Sequence, residues 1–124
     1  MSDPDIPERV ITDAIDLVGT PCYVLAAPVV RRNLQQLQSL FDGFPIRHVL
    51  SAKTQPVRPL LEIWNRLGLM IDVVSEFELA AALEVGFKPS RIVVNGVCKH
   101  EWLSRYELPE LRIHLDSVQE AAVL

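Results

Sequence analysis

Basic runs are missing from this 124-residue sequence, whose 12 lysines and arginines are scattered among 16 acidic residues for a formal net charge of −4. A nucleic-acid surface needs clustered positive charge, so no DNA or RNA partner is expected. Long apolar runs are missing too. The most apolar window, LVGTPCYVLAAPVV, is broken by Gly19, Pro21 and Pro28 and is too short to cross a bilayer, so no membrane partner is expected. The opening MSDPDIPERV is acidic and proline-bearing, and reads as neither a secretory signal nor a transit peptide. Cysteine is scarce. Cys22 and Cys98 stand far apart without ligand spacing, as reduced thiols of a cytoplasmic protein do. His48, His100 and His114 lack the short spacing of zinc ligands, so they read as structural and no metal is expected.

What is present is an alternation. Residues 1–21 read as a polar leader, and CYVLA (22–26) as a short strand. PVVRRNLQQLQSLF then places Val30, Leu34, Leu37 and Phe41 at helical spacing, with Pro28 tolerated in the first turn. Four strand–helix pairs follow. IRHVLSA leads to PVRPLLEIWNRLG, and LMIDVVS to EFELAAALEVG; RIVVN leads to KHEWLSRY, and LRIHLD to SVQEAAVL. Strands begin about every 20 to 25 residues, the rhythm of βα units on a parallel sheet. Ser75 with Glu78, and Ser117 with Glu120, have the S-x-x-E spacing of a capping box, which accounts for all four residues structurally. Trp64 and Trp102 fall on helix faces as core or interface residues.

The fold class expected is α/β, a partial (β/α)8 TIM barrel made of the first four βα units. Eight units and about 250 residues close such a barrel. Residues 22–124 are therefore expected to be the N-terminal half of a barrel domain in a longer protein, and its open edge and inner face should drive self-association.

In βα folds ligands bind at the carboxyl ends of the strands, here at Lys53, Ser75, Asn95 and Asp116, with Asp72 one pleat deeper. Polar residues at these positions are commonly helix caps. Lysine is a poor cap, which singles out Lys53 in RHVLSAKTQP. A lysine partly withdrawn from water gains a lone pair for attack on a carbonyl, and Asp72 on the next strand needs a proton or a cation as partner. The alternative is plain: Lys53 reaches solvent and Asp72 ends a turn.

The order GTPCYVL…RRNLQQL, HVLSAKTQP, GLMIDVVSEFELAAALEVGF, RIVVNGVCK, LDSVQEA resembles the pyridoxal-phosphate-dependent diaminopimelate, ornithine and arginine decarboxylases of the alanine-racemase-like fold, over roughly residues 19–124. The resemblance implies pyridoxal 5'-phosphate as cofactor, held by Lys53 as a Schiff base, with Asp72 near it. Ser75 and Glu78 match later positions of the same stretch, and Asp116 and Ser117 match a D-S pair at a strand end. It implies a carboxy-lyase acting on a small amino acid, of diaminopimelate type ahead of ornithine or arginine, and a homodimer when complete. The phosphate site, the acidic partner of the ring nitrogen and the substrate arginines would lie later in the chain, so the segment by itself should be inactive. Leu50 and Gln55 stand where the family has tyrosine and asparagine around the lysine. AKTQP also resembles the lysine region of non-catalytic pyridoxal-phosphate homeostasis proteins on a related barrel, an alternative left open here. A βα module without cofactor is the third.

Overall fold

A computed structural model describes residues 6–124. The chain divides into two compact units between Asp42 and Gly43.

The first unit contains α1, Glu8–Val18, and α2, Ala27–Ser39. Of the polar leader expected over 1–21, residues 1–5 lie outside the described residues, and α1 is a helix within the remainder. Val10, Ile11, Ala14, Ile15 and Val18 recur at helical spacing behind the acidic opening, and Gly19, with φ +78°, ends the helix. Helix α2 forms where the apolar spacing placed it, with Pro28 in its first turn. The strand expected at 22–26 does not form. A strand needs a neighbour for its backbone ladder, and residues 22–26 join none among the described residues.

The second unit carries the alternation. Strand β1 (Val49–Ser51) leads into a single 3₁₀ turn, Ala52–Thr54, and then α3 (Arg58–Arg66). Strand β2 (Met70–Val73) precedes α4 (Glu76–Glu84), and β3 (Ile92–Val94) precedes a short α5 (His100–Leu103). Strand β4 (Arg112–Ile113) precedes α6 (Val118–Val123). The four strands form one parallel sheet in sequence order, β1-β2-β3-β4. Beyond their short strands, the β2→β3 and β3→β4 ladders run one step further, through Asn95 N–H to Val73 O and His114 N–H to Val94 O, both 2.9 Å.

One face of this sheet is the core. Ile71, Val73, Ile92 and Val94 are fully buried, together with Leu60, Leu61, Ile63 and Trp64 of α3, Leu79 and Ala82 of α4, and Leu103 of α5. Burying each large aliphatic side chain contributes about 1.5–3 kcal/mol, so this layer is what fixes the strands in register. Helix α4 is closed at its start as the sequence implied. Glu78 N–H donates to Ser75 Oγ at 3.3 Å, and Glu78 Oε2 accepts from Val74 N–H at 2.9 Å.

Register puts the other face in rows. Ser51 pairs with Asp72, Asp72 with Val93, and Val93 with Arg112, giving one row across all four strands. These residues, with Arg47, Val49, Met70 and His114, line a hollow of about 390 Å³. No helix of the described residues is long and apolar enough to cross a membrane.

Candidate functional site at the carboxyl ends of the strands

The sheet brings the expected residues to one end. Lys53 lies in the 3₁₀ turn, two residues past Ser51, the last residue of β1. The sequence leaves two readings of this amine, partly withdrawn from water or reaching solvent, and the structure has the second. Lys53 is exposed, because Ala52 takes the buried position of the turn. Its amine makes no hydrogen bond or ion pair among the described residues. One pleat below, Ser51 Oγ donates to Asp72 Oδ2 at 3.5 Å. Asp72 is half-buried, and its near partner is therefore a hydroxyl rather than the cation that burial alone suggested. Arg112 shares its row two strands away, roughly 10 Å at ordinary strand spacing.

The other strand ends are local structure. Asn95 Oδ1 accepts from Gly96 N–H at 2.9 Å, and Ser75 caps α4. Ser117 Oγ accepts from Glu120 N–H at 3.0 Å, capping α6.

The largest electrostatic feature was not anticipated. Lys99 is fully buried, and its ammonium uses all three protons: Gly96 O at 2.7 Å, Asp116 Oδ2 at 2.9 Å and Glu120 Oε2 at 2.6 Å. Glu120 is 2% exposed and also accepts from Asp116 N–H at 2.9 Å. Burial works against the Lys99 ammonium, but the hydrogen bonds and charges of Glu120 and Asp116 outweigh it, and its pKa is raised. Lys99, then the Asp116 N–H, hold Glu120 down to about 2 despite its burial, with His100 contributing less.

A signal for this cluster existed. Lys99 occupies the N-cap position of α5, as poor a place for lysine as the one that singled out Lys53. Nothing in the spacing pointed to Glu120, which lies 21 residues away and already has a capping role. Chemically the two amines are opposites. Lys53 is open and unpaired and fits covalent capture of an aldehyde; Lys99 is saturated and has no lone pair to offer.

The sequence profile described as "Pyridoxal-dependent decarboxylase, pyridoxal binding domain" matches residues 28–122. A diaminopimelate decarboxylase of Zymomonas mobilis is 34% identical over 112 residues, covering 86% of this chain and 26% of that protein. One from Methanothermobacter thermautotrophicus is 32% identical, covering 85% and 26%. The chain thus spans about a quarter of the length of the curated relatives it matches. Among solved structures, a protein of Aquifex aeolicus superposes with a TM-score of 0.80 at 27% identity, over 92% of this chain and 29% of that one. A diaminopimelate decarboxylase from M. jannaschi gives 0.77 at 25% identity, over 90% and 27%. The parallel sheet and its helices are accordingly part of the barrel fold of these proteins.

Proposed function

The chain belongs to the pyridoxal-dependent decarboxylase family through its pyridoxal-binding domain, and from that premise we propose that it supplies the lysine-bearing part of the cofactor site of an amino-acid decarboxylase. Residues 22–124 form its share of the barrel, a reading supported by the match over 28–122. Lys53 holds pyridoxal 5'-phosphate through Nζ. Asp72, oriented by Ser51, places negative charge on the inner face below it. When bound, the cofactor supplies an electron sink for bond cleavage at an amino acid, and the protein supplies orientation and electrostatics. The substrate is a small amino acid of diaminopimelate type, as the names of the relatives suggest. Those relatives are decarboxylases, which does not favour the homeostasis-protein alternative. The complete enzyme is a homodimer, on the resemblance alone, and both cysteines remain unbridged as a reducing cytoplasm would leave them.

One observation carries the assignment: a lysine without a partner among the described residues, just past the carboxyl end of β1 and within the stretch that the pyridoxal-binding profile matches. Three lysines make a direct test. Pyridoxal phosphate is added, borohydride reduces the adduct, and peptides are mapped by mass. Label is expected on Lys53 ahead of Lys88, which is also exposed, absent from Lys99, and lost in Lys53→Ala. Label shared evenly between Lys53 and Lys88 would end the assignment.

A further inference from the structure

The two oxygens of Glu120 have different surroundings. Oε2 accepts from Lys99 Nζ and from Asp116 N–H, whereas Oε1 is buried without a hydrogen-bond partner. His100 Nδ1 is buried and unpartnered as well, 3.7 Å away. Two buried polar atoms left unpaired are costly, and a single proton satisfies both: Nδ1–H donates to Oε1 after a small rotation of the ring. The charges favour the same arrangement. One ammonium, Lys99, faces two carboxylates, Asp116 and Glu120, so the cluster retains a negative charge, and Oε1 lies on the His100 side.

We infer that Glu120 and His100 form a carboxylate–imidazole pair in which Nδ1 carries the proton and Nε2 is left as a lone-pair nitrogen. A buried carboxylate that fixes the tautomer of a histidine is the device by which proteins orient imidazoles for metal binding or proton transfer. The His100 side chain is 33% exposed, so its free edge meets solvent. His100 opens α5, on the loop after β3, at the end of the sheet where βα folds take ligands. Nε2 accepts a hydrogen bond from a hydroxyl or ammonium group of a ligand, or takes the proton of the ammonium, which leaves the neutral amine and an imidazolium paired with Glu120. Capping alone does not explain it. Glu78 plays the same capping part for α4, yet it is only half-buried, whereas Glu120 lies beneath a lysine and a histidine. This pair is independent of the cofactor reading, and its test needs no pyridoxal phosphate.

Long-range ¹H–¹⁵N correlation spectra above the imidazole titration range read the tautomer directly. His100 is expected as the Nδ1–H form, the reverse of the usual preference of a free side chain. Glu120→Gln switches it. Lys99 and the Asp116 N–H both donate, so they hold the amide oxygen on their side and turn the amide NH₂ toward the ring, where Nδ1 must then accept. Diethyl pyrocarbonate, which reacts at the lone-pair nitrogen, is expected to modify His100 several-fold more slowly in Glu120→Gln. The exposed His114 keeps its rate and serves as internal reference. Asp116→Asn, which leaves Oε1 in place, leaves tautomer and rate at their wild-type values. If Glu120→Gln does not fold, its circular dichroism shows the loss and the wild-type tautomer decides alone. An Nε2–H form of His100 in the wild-type chain, or a tautomer and rate unmoved in folded Glu120→Gln, overturns the inference.

Discussion

Lys99 Nζ reaches three acceptors within 2.9 Å, whereas Lys53 Nζ reaches none among the described residues, and each difference has a measurable consequence. Exposed pairs such as Arg58–Glu62, with 3.1 Å between Nε and Oε1, contribute only about 0.3–0.5 kcal/mol. Lys99→Met leaves carboxylates without their cation in a dry setting, so urea unfolding should show a loss several times that of Arg58→Ala. Acid should act through Glu120. Its carboxyl titrates at about 2 in the folded chain against an ordinary 4.5, so the folded state binds this proton more weakly than the unfolded state. The stabilisation is fully present above 4.5 and drains away as pH falls toward 2. Stability measured across that window should fall less steeply in Glu120→Gln than in the wild-type chain; equal slopes would remove Glu120 from the account.

Among elements, the loop from β3 to α5 is the most constrained. Gly96 has φ +89°, and a Cβ there would stand 3.2 Å from Val74 O and 3.3 Å from Val74 Cβ. Gly96→Ala therefore carries the left-handed backbone cost of roughly 1–2 kcal/mol as well as a contact against backbone that cannot yield. Because Gly96 O also receives the Lys99 ammonium, hydrogen exchange should accelerate across residues 95–100 in this variant. Leu79→Ala tests a different layer. Leu79 is fully buried and α4 packs on β2, so a loss of about 2–5 kcal/mol is expected in thermal or denaturant unfolding. Strands β2 and β3 were legible as short apolar runs, α3 by the helical spacing of its apolar side chains, and α4 by its capping box. Strand β4 shrank to two residues because the exposed edge segment Arg112–Ile113 has little burial to extend it.

At the scale of the whole molecule, the sheet ends in two edge strands, β1 and β4, and both residues of β4 are exposed. Unpaired strand edges recruit other strands. The chain by itself should associate with increasing concentration in light scattering, and Ile113→Lys should reduce that association; a sharp monomer peak at all concentrations would contradict it.

The sequence by itself determined the βα alternation, the two capping boxes, the position of Lys53 past the first strand of the sheet and the resemblance that the family match bears out. Those features are local: apolar period, cap chemistry and residue order act over a few neighbours and survive in a one-dimensional string. Only the tertiary structure decided that Lys53 is open to solvent, that Asp72 meets Ser51, and that Lys99 is buried between Asp116 and Glu120. Each of these depends on strand register or burial, which bring residues 17 or more apart within hydrogen-bonding reach. A charge and its distant partner carry no shared period along the chain, so the cluster became visible only once the sheet had placed them side by side.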